Sequence, residues 1–82
     1  MGLLKDKVAL ITGAGGGIGR GIARCYAREG AAVLIAELDP VTGAEAEAEL
    51  QQMGARALFV PTDVLRKDSV EAAIQAAADS FG

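Results

Sequence analysis

A run of glycines set between an unbroken apolar stretch and a segment of helical period constrains this chain more than any other feature. The run is Thr12-Gly13-Ala14-Gly15-Gly16-Gly17-Ile18-Gly19. Before it, Val8-Ala9-Leu10-Ile11 has the pattern of a strand buried on both faces. After it, Ile18, Ile22, Cys25 and Tyr26 recur at i, i+4, i+7 and i+8, while Arg20, Arg24 and Arg28 take another face. That spacing predicts an amphipathic helix with the arginines in solvent, closed by Gly30. A strand that turns into a helix through glycine leaves the first helical amides outward and unpaired. The helix dipole favours negative charge there, and glycine lets a pyrophosphate approach the backbone. Such a turn without any ligand is the competing reading. The run does not follow G-x-G-x-x-G from Gly13, because position 18 is Ile, and it lacks the Lys-Ser/Thr ending of a P-loop, which disfavours an ATPase.

The rest of the chain repeats the same alternation. Ala32-Val33-Leu34-Ile35-Ala36 predicts a second buried strand, and Asp39-Pro40 a helix N-cap followed by proline at N1. That helix is expected to reach about Met53 and to stop at Gly54. Its apolar side would be alanine with Val41 and Met53, and Glu45, Glu47 and Glu49 would be surface charge. Ala57-Leu58-Phe59-Val60 predicts a third strand stopped by Pro61. Asp68-Ser69-Val70-Glu71 has capping-box spacing, with Asp in place of Ser or Thr, and opens a helix through Ala78. The order β-α-β-α-β-α implies one α/β unit over residues 1–82. The architecture is three-layered and of Rossmann type: a partial doubly wound parallel sheet with right-handed crossovers and strand order 3-2-1. The first strand then stands at an edge, which opens a route to self-association.

Composition narrows the partners. A net charge of −3 leaves no basic surface to neutralise nucleic-acid phosphates. The longest apolar run, Ala31 to Ala36, falls far short of the roughly 20 residues of a membrane span. No apolar h-region follows Met1, so a cytoplasmic location is expected. A single cysteine and no histidine disfavour a metal site, and Cys25 reads as a small buried hydrophobe.

The pattern Thr-Gly-x-x-x-Gly-x-Gly at Thr12, Gly13, Gly17 and Gly19 resembles that of the short-chain dehydrogenase/reductase family. Lys7 to Gly13 is similar to that family's first strand and turn, Gly30-Ala31-Ala32-Val33 to its entry into the second strand, and Asp63-Val64 to the pair after its third. The resemblance covers essentially all 82 residues in order. Gly16 also lets the run fit the family's extended branch, but Gly17-Ile18-Gly19 favours the compact one. Glu37 closes the second strand 18 positions past Gly19, where an acidic residue can accept hydrogen bonds from adenosine ribose hydroxyls. Its charge would repel the 2′-phosphate of NADP, so NAD is the expected cofactor. The resemblance supports this, since Gly16 stands where NADP-using relatives often carry Arg or Lys. It further implies that Asp63 and Val64 hold the adenine and that Ile18 lies near phosphate and nicotinamide. The cofactor-binding set is therefore Gly13, Gly16, Gly17, Ile18, Gly19, Glu37, Asp63 and Val64.

Catalytic groups find no counterpart. The family's signature is Tyr-x-x-x-Lys with a serine and an asparagine. Here the only tyrosine, Tyr26, is followed four residues on by Gly30, serines occur only at 69 and 80, and asparagine is absent. No catalytic residue is assigned. The leading expectation is the cofactor-binding front of an NAD-dependent oxidoreductase that acts on an alcohol or carbonyl substrate, truncated before its catalytic half. A non-catalytic nucleotide-binding or assembly module is the alternative. An S-adenosylmethionine site is disfavoured by Thr12 and the Gly17-Ile18-Gly19 spacing.

Overall fold

The computed structural model describes residues 4–13 and 16–82. Six elements alternate: β1 (Val8–Thr12), α1 (Gly17–Arg28), β2 (Ala32–Glu37), α2 (Pro40–Gln52), β3 (Ala57–Pro61) and α3 (Lys67–Phe81). Their ends carry the local chemistry that the sequence announces. Asp39 caps α2, its carboxylate accepting from the amides of Val41 at 2.9 Å and Thr42 at 3.4 Å, with Pro40 at the first helical position. Gly30 and Gly54 end α1 and α2 with φ of 95° and 87°, which only glycine adopts without strain. In both, the next amide reaches back to close the helix: Ala31 N to Tyr26 O and Ala55 N to Leu50 O, each 3.1 Å.

The third helix departs from the capping-box expectation. Arg66 is its N-cap and no side chain caps it. Asp68 sits in the first turn and pairs with Arg66 at 2.9 Å, while the Ser69 hydroxyl accepts from the Asp63 amide at 2.8 Å. The helix begins one residue before Asp68, so Asp68 stands inside the first turn rather than at the cap.

All strands are parallel and lie in the order β1-β2-β3, with Leu10 beside Leu34 and Ile35 beside Phe59. One core lies between the sheet and α1 with α2, built on Ile11, Ala23, Val33, Ile35, Ala46 and Leu50. The other lies under α3, built on Leu34, Ala36, Ala73 and Ala77. The result is an α/β/α sandwich whose middle strand is buried from Ala32 to Ala36.

Several apolar positions fall on faces the periodicity did not indicate. Strand β1 is not buried on both faces: Val8 and Leu10 are exposed, because the strand has one neighbour and a free edge. On α1 the inward side is Ala23 with Ala27, whereas Ile18, Ile22, Tyr26 and Cys25 are exposed. Alanine lets the helix axis approach the sheet, and the larger residues are carried to the open side, where Tyr26, Val8 and Leu10 line one groove of about 300 Å³. On α2 the buried positions are Gly43, Ala46 and Leu50, with Val41 and Met53 outside. Gly43 is required there, since a Cβ would stand 2.2 Å from the ring of Phe59.

The arginine face of α1 and the glutamate face of α2 also meet rather than facing water. Arg24 donates from Nε and, at 3.1 Å, from its terminal nitrogen to the two oxygens of Glu49. Arg20 Nε lies 3.3 Å from Glu49 Oε1, a charge contact without hydrogen-bond geometry. The hydrogen bond from Arg24 holds the Glu49 carboxyl below its ordinary value of 4.5. A carboxyl lowered in the folded state contributes stability in full above its ordinary value and loses it as pH falls through the folded one. Denaturation midpoints should therefore drop below about pH 4.5. Glu49→Gln should lower the midpoint at pH 7 and flatten that acid limb; equal acid limbs for both proteins would refute the linkage.

Candidate functional site

Parallel strands bring their carboxyl ends to one rim of the sheet, the position where open α/β sheets hold ligands. Here that rim carries a cleft of about 380 Å³ lined by Thr12 and Gly13 at the end of β1, Glu37 and Leu38 at the end of β2, and Asp63 and Val64 in the turn after β3. Four of the eight sequence-predicted residues, Gly13, Glu37, Asp63 and Val64, thus surround one space although fifty positions separate the first from the last two. The other four, Gly16, Gly17, Ile18 and Gly19, do not line it. They form the N-cap and first residues of α1, joined to the cleft by the 3.1 Å hydrogen bond from Gly16 N to Gly13 O. The centre of the glycine run, Ala14 and Gly15, lies outside the described residues.

Each glycine at this corner has its own physical warrant. Gly13 leaves β1 with φ of 66°, a left-handed turn that a side chain would strain. Gly16 caps α1 with no side-chain hydrogen bond, and the helix's first turn has no acidic residue. Among the described residues no side chain compensates its leading amides, which carry the positive end of the helix dipole. Gly17 has helical backbone, and a Cβ there would meet no heavy atom of the described residues within 4 Å. Glycine in a helix costs about 1 kcal/mol against alanine. Neither backbone nor packing asks for it at this position.

The two carboxylates are oriented by backbone. Glu37 ends β2, its Oε1 accepting from the Asp39 amide at 3.3 Å, while its carbonyl accepts from Thr62 N at 2.9 Å. That second bond ties the ends of β2 and β3 together. Asp63 forms a turn of its own, with Oδ1 accepting from Leu65 N at 3.0 Å and its carbonyl from Arg66 N at 3.0 Å. Among the described residues nothing donates to Oδ2. Val64 offers an exposed apolar surface beside it.

The sequence-derived binding set left out five lining residues: Thr12, Ala36, Leu38, Thr62 and Leu65. Thr62 is buried, with its hydroxyl donating to Val60 O at 2.8 Å. Leu38 and Leu65 are exposed leucines immediately after a strand and after the Asp63-Val64 pair. Their signal was there to read: large apolar residues in strand-end turns, where nothing in the chain's own core needs them. Among the described residues no serine, tyrosine or lysine lines the cleft.

Comparison with known proteins accords with this geometry. A short chain dehydrogenase/reductase of Aspergillus oryzae is 49% identical over 80 residues, covering 96% of this chain and 31% of that protein. The 3-hydroxyacyl-CoA dehydrogenase type-2 of Drosophila melanogaster is 41% identical over 80 residues, covering 98% and 30%. A short chain dehydrogenase/reductase from Burkholderia phymatum, solved in complex with NAD, superposes with a TM-score of 0.93 at 38% identity, covering 100% of this chain and 29% of that one. The chain thus spans about a third of the length of these relatives. Among the described residues no helix is long and apolar enough to cross a membrane. The family model for short chain dehydrogenases matches residues 7–82, nearly the whole sequence, and this chain belongs to that family.

Proposed function

We propose that residues 1–82 are the cofactor-holding front of an NAD-dependent oxidoreductase, and that catalytic groups acting on an alcohol or carbonyl substrate come from polypeptide outside them. The observation that carries the reading is Gly17, a glycine at the uncapped start of α1 where no described atom stands within 4 Å of the place a Cβ would take. A pyrophosphate lying against the α1 N-terminus would occupy that space. The uncapped amides and the absence of an acidic residue in the first turn suit the same group. The relative solved with NAD supports the choice of nucleotide.

In this arrangement the chain's residues bind and orient. Gly13 turns the backbone away from the ligand, and the amides of the α1 first turn hold the pyrophosphate. Glu37 accepts from the adenosine ribose hydroxyls, with its Oε1 already steadied by the Asp39 amide. Asp63 Oδ2 accepts from the adenine amino group, and Val64 packs on the base. Ile18, at the start of α1, lies on the path towards the nicotinamide. When bound, NAD supplies the carbon that accepts or gives a hydride.

Glu37 favours NAD over NADP by placing a carboxylate where the 2′-phosphate would stand. Titration calorimetry with both nucleotides tests this. NAD should bind at least about tenfold tighter than NADP, since a hydrogen bond to a charged group contributes about 1.5–3 kcal/mol. Glu37→Ser should bring the two within a few-fold of each other. An unchanged preference in Glu37→Ser would remove Glu37 from the reading, and binding of neither nucleotide by the parent protein would sink the reading itself.

A further inference from the structure

The two edges of the sheet are built differently. In a parallel strand every second residue turns its N–H and C=O to the neighbour and the others turn outward. On β3 the inward residues are fixed by Arg56 O accepting from Val33 N and Thr62 N donating to Glu37 O, which leaves Ala57, Phe59 and Pro61 facing the outer edge. Each outward residue has one of its two backbone groups occupied or missing. The Phe59 amide donates to Glu47 Oε2 at 2.6 Å. The Ala57 carbonyl accepts from Gln51 Nε2 at 3.0 Å. Pro61 has no N–H to offer. Glu47 and Gln51 stand one helical turn apart on α2, so both reach down over the same edge. At β1 the outward residues are Val8, Leu10 and Thr12, by the same alternation from Ala32 N to Lys7 O and Gly13 N to Ala36 O. Among the described residues no side chain covers their backbone groups.

We infer that Glu47, Gln51 and Pro61 together close the β3 edge against strand addition, and that removing them makes this edge a docking site for a second copy of this chain. A free strand edge is a template for pairing, and charged side chains, proline and an overlying helix are the means by which proteins blunt one. Two copies related by a twofold axis would present the same β3 edge to each other, so that Ala57 and Phe59 pair antiparallel across the axis. Glu47 is thereby a guard of the backbone rather than surface charge. The inference does not depend on nucleotide binding.

Amide hydrogen exchange read residue by residue tests the latch, with Leu58, bonded inward to β2, as internal control. In Glu47→Ala the Phe59 amide should exchange about tenfold faster while Leu58 stays near its parent rate. Glu47→Gln, which keeps an acceptor oxygen, should restore much of the protection. Equal acceleration at Phe59 and Leu58, or none at either, would overturn the latch. Sedimentation tests the docking. Glu47→Ala/Gln51→Ala/Pro61→Val should gain a concentration-dependent dimer beyond the parent's state, with Ala57 and Phe59 protected again. The double variant that keeps Pro61 should do so more weakly, and it serves where the triple variant does not fold. Parent-like sedimentation with an unprotected Phe59 would overturn the docking.

Discussion

Gly17→Val should cost this protein about 100-fold or more in affinity for NAD while leaving the fold intact. A Cβ at position 17 meets no described atom beyond its own helical turn within 4 Å, and the backbone there is already helical. The fold therefore has no steric objection, and Gly17→Ala should raise stability by up to about 1 kcal/mol through helix propensity alone. The ligand does object. A Cβ placed between the α1 amides and a pyrophosphate forces a mismatch of the kind that costs about 1–3 kcal/mol in a packed interior, about tenfold for alanine and more for a branched side chain. Stability and affinity should thus move in opposite directions for Gly17→Ala. Thermal unfolding without nucleotide and calorimetric titration with it read the two separately. Undiminished NAD affinity in Gly17→Val would mean that the pyrophosphate does not pass this helix.

The contrast with Gly13 and Gly43 shows why one residue type had to be read three ways. Gly13 is glycine because φ is positive, and Gly43 because a ring fills the space of its Cβ. Gly17 and Gly21 both lack such a reason among the described residues, and of the two only Gly17 stands at the uncapped start of α1, where the helix offers its amides to something outside the chain. The sequence could indicate Gly13 and Gly17 by their place between a strand and a helix. It could not indicate Gly43, whose partner Phe59 lies on another element and is identified only once α2 is seen to cross β3.

The same distinction separates what was legible along the chain from what was not. Caps and stops are local chemistry: Asp39-Pro40, Gly30 and Gly54 act within a few residues of themselves and were readable. The alternation of elements and the gathering of Glu37 and Asp63-Val64 at strand ends follow from parallel topology, and were readable too. The helix faces were not. Large apolar residues on α1 suggested an inward face at Ile18, Ile22, Cys25 and Tyr26, yet close approach to the sheet selects the small residues Ala23 and Ala27. Charge was misread for a related reason. Glu49 and Glu47 look like solvent residues until α1 and an open strand edge supply their partners. A side chain's neighbour across elements is a property of packing, and periodicity along one element does not carry it.

Leu50→Ala tests the packing that replaced those expectations. Leu50 is the largest α2 side chain in the core, 1% exposed, packed between the helix and the sheet with Val33, Ile35 and Ala46. Truncating a buried leucine costs about 2–5 kcal/mol, from lost transfer energy and from the cavity left behind. At about 0.05–0.15 kcal/mol per residue, a chain of this length holds only about 4–12 kcal/mol in total. The substitution should therefore remove from about a sixth of the stability to all of it, and raise the unfolded population at 37 °C. Val41, which the helical pattern placed on the apolar side, is 65% exposed and provides the control. Its replacement by alanine should stay within about 0.5 kcal/mol. In urea titrations the midpoint of Leu50→Ala should fall sharply with an unchanged slope, while that of Val41→Ala stays near the parent. Comparable losses for the two would return α2 to the face predicted by periodicity.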